Sequence, residues 1–317
     1  MKELAQKILQ EAVASRVSDI YVLPADGEYS VTFRRFDTRE RFCQLSAEDA
    51  ASLMAHFKFL AGMNVGEKRR TQMGACLYEL PDGKNQRLRL SSVGDFEGRE
   101  SLVLRLLHDE SQQDLDFWYD GEKEAKNLIT RRGLYLFSGP VGSGKTTLMY
   151  HLAREKFAGK QVITIEDPVE IIEGQFLQLQ RNDTIGATYD DLIKLSLRHM
   201  PDLVIVGEIR DELTARAVMR ASLTGYTVFS TVHAKSVSGV YARLLELGLS
   251  PGEIANSLNG VVYQRLMAGK GLLEVAREKF EDYDNANWNA KIARLADDGY
   301  LTADAATVEK IAADKAD

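Results

Sequence analysis

From Leu134 to Ala153 the chain passes through three kinds of sequence in order. An apolar, β-prone run, Leu134-Tyr135-Leu136-Phe137, leads into Gly139-Pro140-Val141-Gly142-Ser143-Gly144-Lys145-Thr146. The helix formers Thr147, Leu148, Met149, His151, Leu152 and Ala153 follow. This is the pattern GxxxxGK[ST] between a strand and a helix, and no other stretch limits the fold as much. The glycines let backbone N–H groups turn inward around phosphate oxygens without a Cβ clash, and the helix N-terminus adds positive potential. Residues Gly139, Pro140, Val141, Gly142, Ser143, Gly144, Lys145, Thr146 and Thr147 are therefore the expected phosphate cradle. Lys145 is expected to reach the β- and γ-phosphates, and the Thr146 hydroxyl to hold Mg²⁺. The ligand this predicts is a nucleoside triphosphate.

A chain of 317 residues is long for one domain, which predicts two cores. Residues 1–15 read as an amphipathic helix carrying Leu4, Ile8, Leu9, Ala12 and Val13 on one face. Strands are expected over 18–24 and 29–34, then a helix from the cap Ser46 to Leu60, then strands over 75–80, 86–91 and 101–107. That pattern is α+β with an antiparallel sheet. Residues 109–124 hold Asp109, Glu110, Asp114, Asp116, Asp120, Glu122 and Glu124 against Lys123 alone, the composition of a connecting segment. Trp118 and Tyr119 are expected to pin it to a neighbouring surface.

From residue 128 strands alternate with helices, at 133–138, 161–165, 203–206 and 227–231, the signature of a parallel, doubly wound sheet. The expected domains are 1–108, an acidic linker 109–127, an α/β domain 128–270 and a polar helical segment 271–317 that frays at its end.

Charge and cysteine content narrow the partners. Residues 1–108 carry 16 Lys+Arg against 15 Asp+Glu, and the remainder 24 against 32, a balance of −8. An acidic second half argues against a duplex-DNA surface, so no direct nucleic-acid binding is expected. No apolar run approaches ~18 residues, and the opening Met1–Lys7 mixes acids and bases, unlike a signal peptide. Cys43 and Cys76 fit a reduced cytosol and are expected as buried small apolar residues.

Further candidate chemistry falls at strand ends, where open α/β sheets bind ligands. Ile163-Thr164-Ile165-Glu166-Asp167-Pro168-Val169-Glu170 ends a buried strand in carboxylates. Glu166 is placed to orient or deprotonate an attacking water, with Asp167 and Glu170 in support. Leu203-Val204-Ile205-Val206-Gly207-Glu208 is an apolar strand ending in an acid, the usual second half of a phosphate-loop site. Gly207 stands at the usual Asp position, so Glu208 must hold Mg²⁺ through water. Arg210 is placed to pair with either a phosphate or Glu208. His233 ends the strand 227–231 as a candidate γ-phosphate sensor, the alternative being a satisfied structural histidine.

The ordered set GPVGSGKTT, ITIEDPVE, LSLRHMPDLVIVGEIRD and TGYTVFSTVHAKS resembles the secretion and type IV pilus assembly ATPases, as do Glu253–Leu266 and, in the first domain, SDIY, LAGMN, QMG and RLRLS. The resemblance covers about residues 15–268. It implies a RecA-like core with a parallel sheet, preceded by a smaller α+β, PAS-like domain. It further implies ATP with Mg²⁺, a homo-hexamer, and catalytic roles for Lys145, Glu166, Glu208 and His233. Arg89 and Arg105, with Arg87 as backup, match first-domain arginines that complete the γ-phosphate site. The implied partner is an inner-membrane platform protein and, through it, pilin subunits. The implied location is cytoplasmic, on the inner face of the cell membrane. Tyr226 replaces a frequent histidine, Tyr21 and Leu23 depart from the N-terminal motif, and the tetracysteine zinc element and the retraction motif are absent. Within the family that points to members that drive a transformation pilus for DNA uptake. A retraction motor, or a scaffold that binds ATP with negligible turnover, are the alternatives.

Overall fold

The structure, a computed structural model, describes residues 1–35, 38–107, 115–182 and 185–311. The chain divides into two compact units, Met1–Asp109 and Glu110–Asp317. The expected acidic residues Asp109, Glu110 and Asp114, and the end expected to fray, lie outside the described residues.

In the first unit the elements are α1 (Lys2–Ala14), β1 (Asp19–Ala25), β2 (Glu28–Arg35), β3 (Thr38–Leu45), α2 (Ala47–Leu60), β4 (Gln72–Glu79), β5 (Asn85–Gly94) and β6 (Glu100–Leu107). The strands form one antiparallel sheet in the order β3-β2-β1-β6-β5-β4. Period-two alternation puts Leu88 and Leu90 of β5 and Leu102 and Leu104 of β6 on one face, where Ile8 and Leu9 of α1 and Leu53 and Phe57 of α2 cover them. Ser46 caps α2 by accepting from the Asp49 amide at 3.1 Å, as its sequence position predicts. Cys43 and Cys76 are half-buried against this core rather than fully inside it, a correction to the sequence reading. Each sits on the core-facing side of an edge strand, Cys43 opposite Val31 and Cys76 opposite Leu88, where cover is incomplete, and burial still pushes the Cys76 thiol up to about 11.

The second unit contains α3 (Gly121–Leu128), β7 (Gly133–Ser138), α4 (Lys145–Lys156), β8 (Val162–Glu166), β9 (Leu177–Gln180), α5 (Tyr189–Arg198), β10 (Leu203–Val206) and α6 (Glu212–Leu223). It continues with β11 (Thr227–Val232), α7 (Val237–Glu246), α8 (Pro251–Ser257), β12 (Leu258–Met267), β13 (Lys270–Ala276), α9 (Ala286–Asp297) and α10 (Ala303–Glu309). The sheet order is β13-β12-β7-β11-β10-β8-β9, parallel throughout except for the β12–β13 hairpin. All residues of β7, β8, β10 and β11 are buried, because helices cover both faces. Leu134 and Leu136 point to one core with Val204, Val206 and Val228, while Tyr135 and Phe137 point to the other with Phe229 and α4.

Two boundaries differ from the sequence reading. The stretch expected as linker contains α3, which buries Ala125 and Leu128 against the sheet. The stretch expected to be helical from 271 begins with β13, whose backbone completes the edge of the sheet beside β12. Trp118 does pin its segment: its indole N–H donates to the Met267 carbonyl at 2.8 Å and its ring packs on Tyr300.

Candidate active site

The phosphate loop leaves β7 at Gly139 and enters α4 at Gly144. Gly139, Gly142 and Gly144 have φ of 142°, 77° and 83°, backbone that side chains rarely adopt. Gly139 is needed for a second reason. A Cβ there would lie 2.2 Å from the Gln264 carbonyl oxygen, because the loop departs where β7 runs tight against β12. Val141 at the loop's crest is exposed, and the Ser143 hydroxyl is buried without a hydrogen-bond partner among the described residues.

Lys145 Nζ donates to the carbonyls of Gly139 at 2.9 Å and Pro140 at 2.7 Å, folded back on the loop it belongs to. Burial lowers its pKa, against the opposing pull of Glu208 and Glu170. Thr146 and Thr147 follow in the first turn of α4, which begins at Lys145.

Glu166 closes β8 and is 3% exposed. Its Oε1 accepts from Tyr150 Oη of α4 at 2.5 Å and from Thr164 Oγ1 at 2.8 Å. Burial raises its pKa, and the two hydroxyl donors offset part of that rise. Beside it Gly207 follows β10, and a Cβ there would stand 3.4 Å from Glu166 Cα and Cγ. Thr231 Oγ1 of β11 donates to the Gly207 carbonyl at 2.6 Å and fixes the turn that presents Glu208.

Glu208 Oε2 pairs with Arg210 Nε at 2.5 Å and has His233 Nε2 at 3.9 Å. Of the two roles open to Arg210, the structure therefore shows the pairing with Glu208. His233 lies one residue past β11 with its side chain 52% exposed, so it is not a satisfied core histidine.

Lys145, Thr146, Glu166, Glu208, Arg210 and His233 line one cavity of about 240 Å³, together with Asp167 and Glu170. A second cavity, of about 370 Å³, opens on the other side of the loop past Thr147, with Leu115, Phe117, Gln264 and Leu266 in its wall. The loop residues Gly142, Lys145 and Thr146 belong to both, which suits an elongated ligand laid across the loop. The donor set fits Mg²⁺, since the Thr146 hydroxyl and the Glu208 carboxylate are hard oxygen ligands within one cavity.

Arg87, Arg89 and Arg105 belong to the first unit. Arg89 of β5 stands directly opposite Arg105 of β6, and Arg105 Nε pairs with Asp19 Oδ1 at 2.7 Å. Sequence reasoning missed two residues of the second unit. Tyr150 reads as one more apolar helix position, and Gln264 falls in the matched segment Glu253–Leu266 without a motif of its own.

A strand buried on both faces, a glycine loop wrapped on a helix N-terminus, and acids at the ends of two further parallel strands of the same sheet define a phosphate-loop nucleotide-binding protein. The family described as type II/IV secretion system protein matches residues 1–301, and the chain belongs to it. It is 54% identical to "Competence protein ComGA" of Streptococcus pneumoniae, over 98% of this chain and 99% of that relative. It is 35% identical to "Type IV pilus assembly ATPase TfpB" of Acinetobacter baylyi, over 84% of this chain but 46% of that longer relative. Among solved structures, the pilus retraction motor PilT with bound ADP superposes with a TM-score of 0.71, at 24% identity over 96% of each chain. No helix among the described residues is long and apolar enough to cross a membrane.

Proposed function

We propose that this chain is an ATP hydrolase that powers assembly of a competence pilus or pseudopilus for DNA uptake. It works as a homo-hexamer on the cytoplasmic face of the cell membrane, turning a platform protein that feeds pilin subunits into the fibre, without touching nucleic acid itself. The observation that carries this reading is the convergence of Lys145, Thr146, Glu166 and Glu208 on one cavity at the strand ends. The competence protein of S. pneumoniae, matched along nearly its whole length, supports the process, and the A. baylyi assembly ATPase supports the reaction.

In this mechanism Lys145 exchanges the Gly139 and Pro140 carbonyls for phosphate oxygens. Glu166 takes or orients the proton of the attacking water, which its raised pKa suits. Thr146 and, through water, Glu208 would hold Mg²⁺, which would supply charge neutralisation for the phosphates. His233, 3.9 Å from Glu208, senses the γ-phosphate. Arg89 and Arg105, with Arg87, are assigned to the γ-phosphate. A guanidinium binds phosphate oxygens bidentately, which suits that role.

The second reading, a nucleotide-gated scaffold with negligible turnover, is favoured by one observation. Gly207 leaves only Glu208 as the metal carboxylate, and Arg210 already pairs with it. Purified chain with Mg-ATP decides between them. Phosphate release well above a Lys145→Ala control supports the hydrolase, and release equal to that control removes it.

A further inference from the structure

One residue of β12 touches the phosphate loop at both ends. The last β7–β12 pair is Ser138 with Tyr263, so Gln264 is the first residue past the ladder, where the loop lifts away. Its backbone carbonyl lies beneath Gly139, at 2.2 Å from where a Cβ would be. Its side-chain amide Nε2 lies against Gly144, at 2.9 Å from the corresponding Cβ position. Both glycines are thus shaped to one residue, and the six-residue stretch from Gly139 to Gly144 is spanned by it.

The amide is also an anomaly. Gln264 is 3% exposed, yet its Oε1 has no hydrogen-bond partner among the described residues. A buried amide oxygen left unpaired is costly, and a methionine would fill the same volume without that cost. The side chain lines the cavity past Thr147 together with Gly142, Gly144 and Lys145. Nearby the Ser143 hydroxyl is likewise buried with no hydrogen-bond partner among the described residues, and it lies 2.8 Å from the Cβ position of Gly139. Two uncommitted polar groups therefore face the same short loop. Lys145 meanwhile occupies the Gly139 and Pro140 carbonyls, an arrangement it must abandon to meet a phosphate.

We propose that Gln264 is a positioning residue for the phosphate loop, whose free amide oxygen takes up a donor when the loop closes on nucleotide. It acts through the loop and not on the reacting atoms. The inference rests on the reading of this loop as a nucleotide cradle.

The test is Gln264→Met in the full chain, with ADP as the probe by isothermal titration and ligand-free thermal melting in parallel. Lys145→Ala serves as the control for the cradle itself. If the wild type binds ADP and the control does not, the cradle reading stands and the Gln264 result is decisive alone. The expected result is ADP affinity reduced about tenfold or more, with a ligand-free melting temperature equal to or above the wild type. A filler residue would give the same stability gain with unchanged affinity, and that outcome overturns the proposal. A lowered ligand-free melting temperature with a matching loss of binding also overturns it, by making Gln264 a scaffold residue only.

Discussion

Tyr150, on the helix that opens with the phosphate-loop lysine, donates a 2.5 Å hydrogen bond to Glu166 at the end of the neighbouring strand β8. The tyrosine is fully buried, and its hydroxyl also accepts from Gln178 Nε2 of β9 at 2.8 Å. One phenol therefore ties α4, β8 and β9 together behind the cavity. It sets the direction of the carboxylate assigned to the water, and it does so from the element that carries Lys145 and Thr146.

Tyr150→Phe keeps the ring and removes that tie. Glu166 Oε1 is left with Thr164 as its hydroxyl donor, and Gln178 Nε2 loses one of its two acceptors. ATP turnover is expected to fall roughly tenfold to hundredfold, with nucleotide affinity nearly unchanged, because the fault lies in aim and not in binding. Unpaired buried groups should cost about 1–3 kcal/mol of stability. Steady-state hydrolysis beside nucleotide titration checks it, and an equal loss in both would remove the positioning role. Glu166→Gln should abolish turnover outright while ATP stays bound.

The buried carboxylate also fixes a pH dependence. Glu166 has its pKa raised above the ordinary glutamate value, chiefly by burial. A base must be ionised, so hydrolysis should fail on the acid side at a pH higher than a free glutamate would give. The Tyr150 hydrogen bond lowers this pKa, so Tyr150→Phe should move the acid limb further up. Stability follows the same sign. The folded chain holds this proton to higher pH than the unfolded one, so the ionisation subtracts stability as pH rises from the unfolded value through the folded one. Glu166→Gln should flatten that part of the stability profile. A pH–rate curve for wild type and Tyr150→Phe that coincide would contradict the assignment.

Gly139→Ala tests the root of the loop. The added methyl group would sit 2.2 Å from a backbone oxygen of β12, at a φ of 142° that alanine rarely takes. A strand buried on both faces cannot retreat, so the loop must deform. Nucleotide binding should be lost, with about 1–3 kcal/mol of backbone strain in addition. Gly142→Ala makes the comparison, since nothing lies within 4 Å of its Cβ position and its penalty comes from φ alone. If the two variants bind nucleotide equally well, the close approach at Gly139 has no functional weight.

The parts of this molecule that could be read from sequence are those where local chemistry decides alone. β7, β8, β10 and β11 are short apolar runs, because a parallel strand covered on both faces has no polar side to interrupt it. The phosphate loop is legible for a similar reason, since its glycines answer to backbone geometry within eight residues. Strand β3, with the polar run Thr38-Arg39-Glu40-Arg41, does not read as a strand. It is paired at the sheet edge by β2's backbone, and only its second half, Phe42, Cys43 and Leu45, carries apolar side chains to the core. The β12–β13 hairpin hides similarly behind Asn259, Gly260, Gln264 and Arg265, each with a tertiary task. Asn259, for one, donates to the Arg132 carbonyl at 2.6 Å. Tyr150 and Gln264 carry no local signal because what they touch is distant in sequence, β8 and β9 for the tyrosine and the phosphate loop for the glutamine.

The first unit offers a test of stability independent of nucleotide. Lys58 at the end of α2 is fully buried, and its Nζ meets Glu100 Oε1 at 2.5 Å and the Glu67 carbonyl at 2.6 Å. Glu100 opens β6 and is 5% exposed. Two buried ions gain from each other about what they lose in leaving water, so the pair as such adds little, whereas either ion alone is severe. Lys58→Met should therefore destabilise this unit by roughly 3–5 kcal/mol, because it strands the Glu100 carboxylate. Adding Glu100→Leu should restore most of that loss, since two apolar side chains of similar size can fill the site. Denaturant unfolding of the wild type, both single variants and the double variant closes the cycle. A double variant no more stable than Lys58→Met would mean that the lysine's bond to the Glu67 carbonyl, which anchors the chain between α2 and β4, outweighs the ion pair.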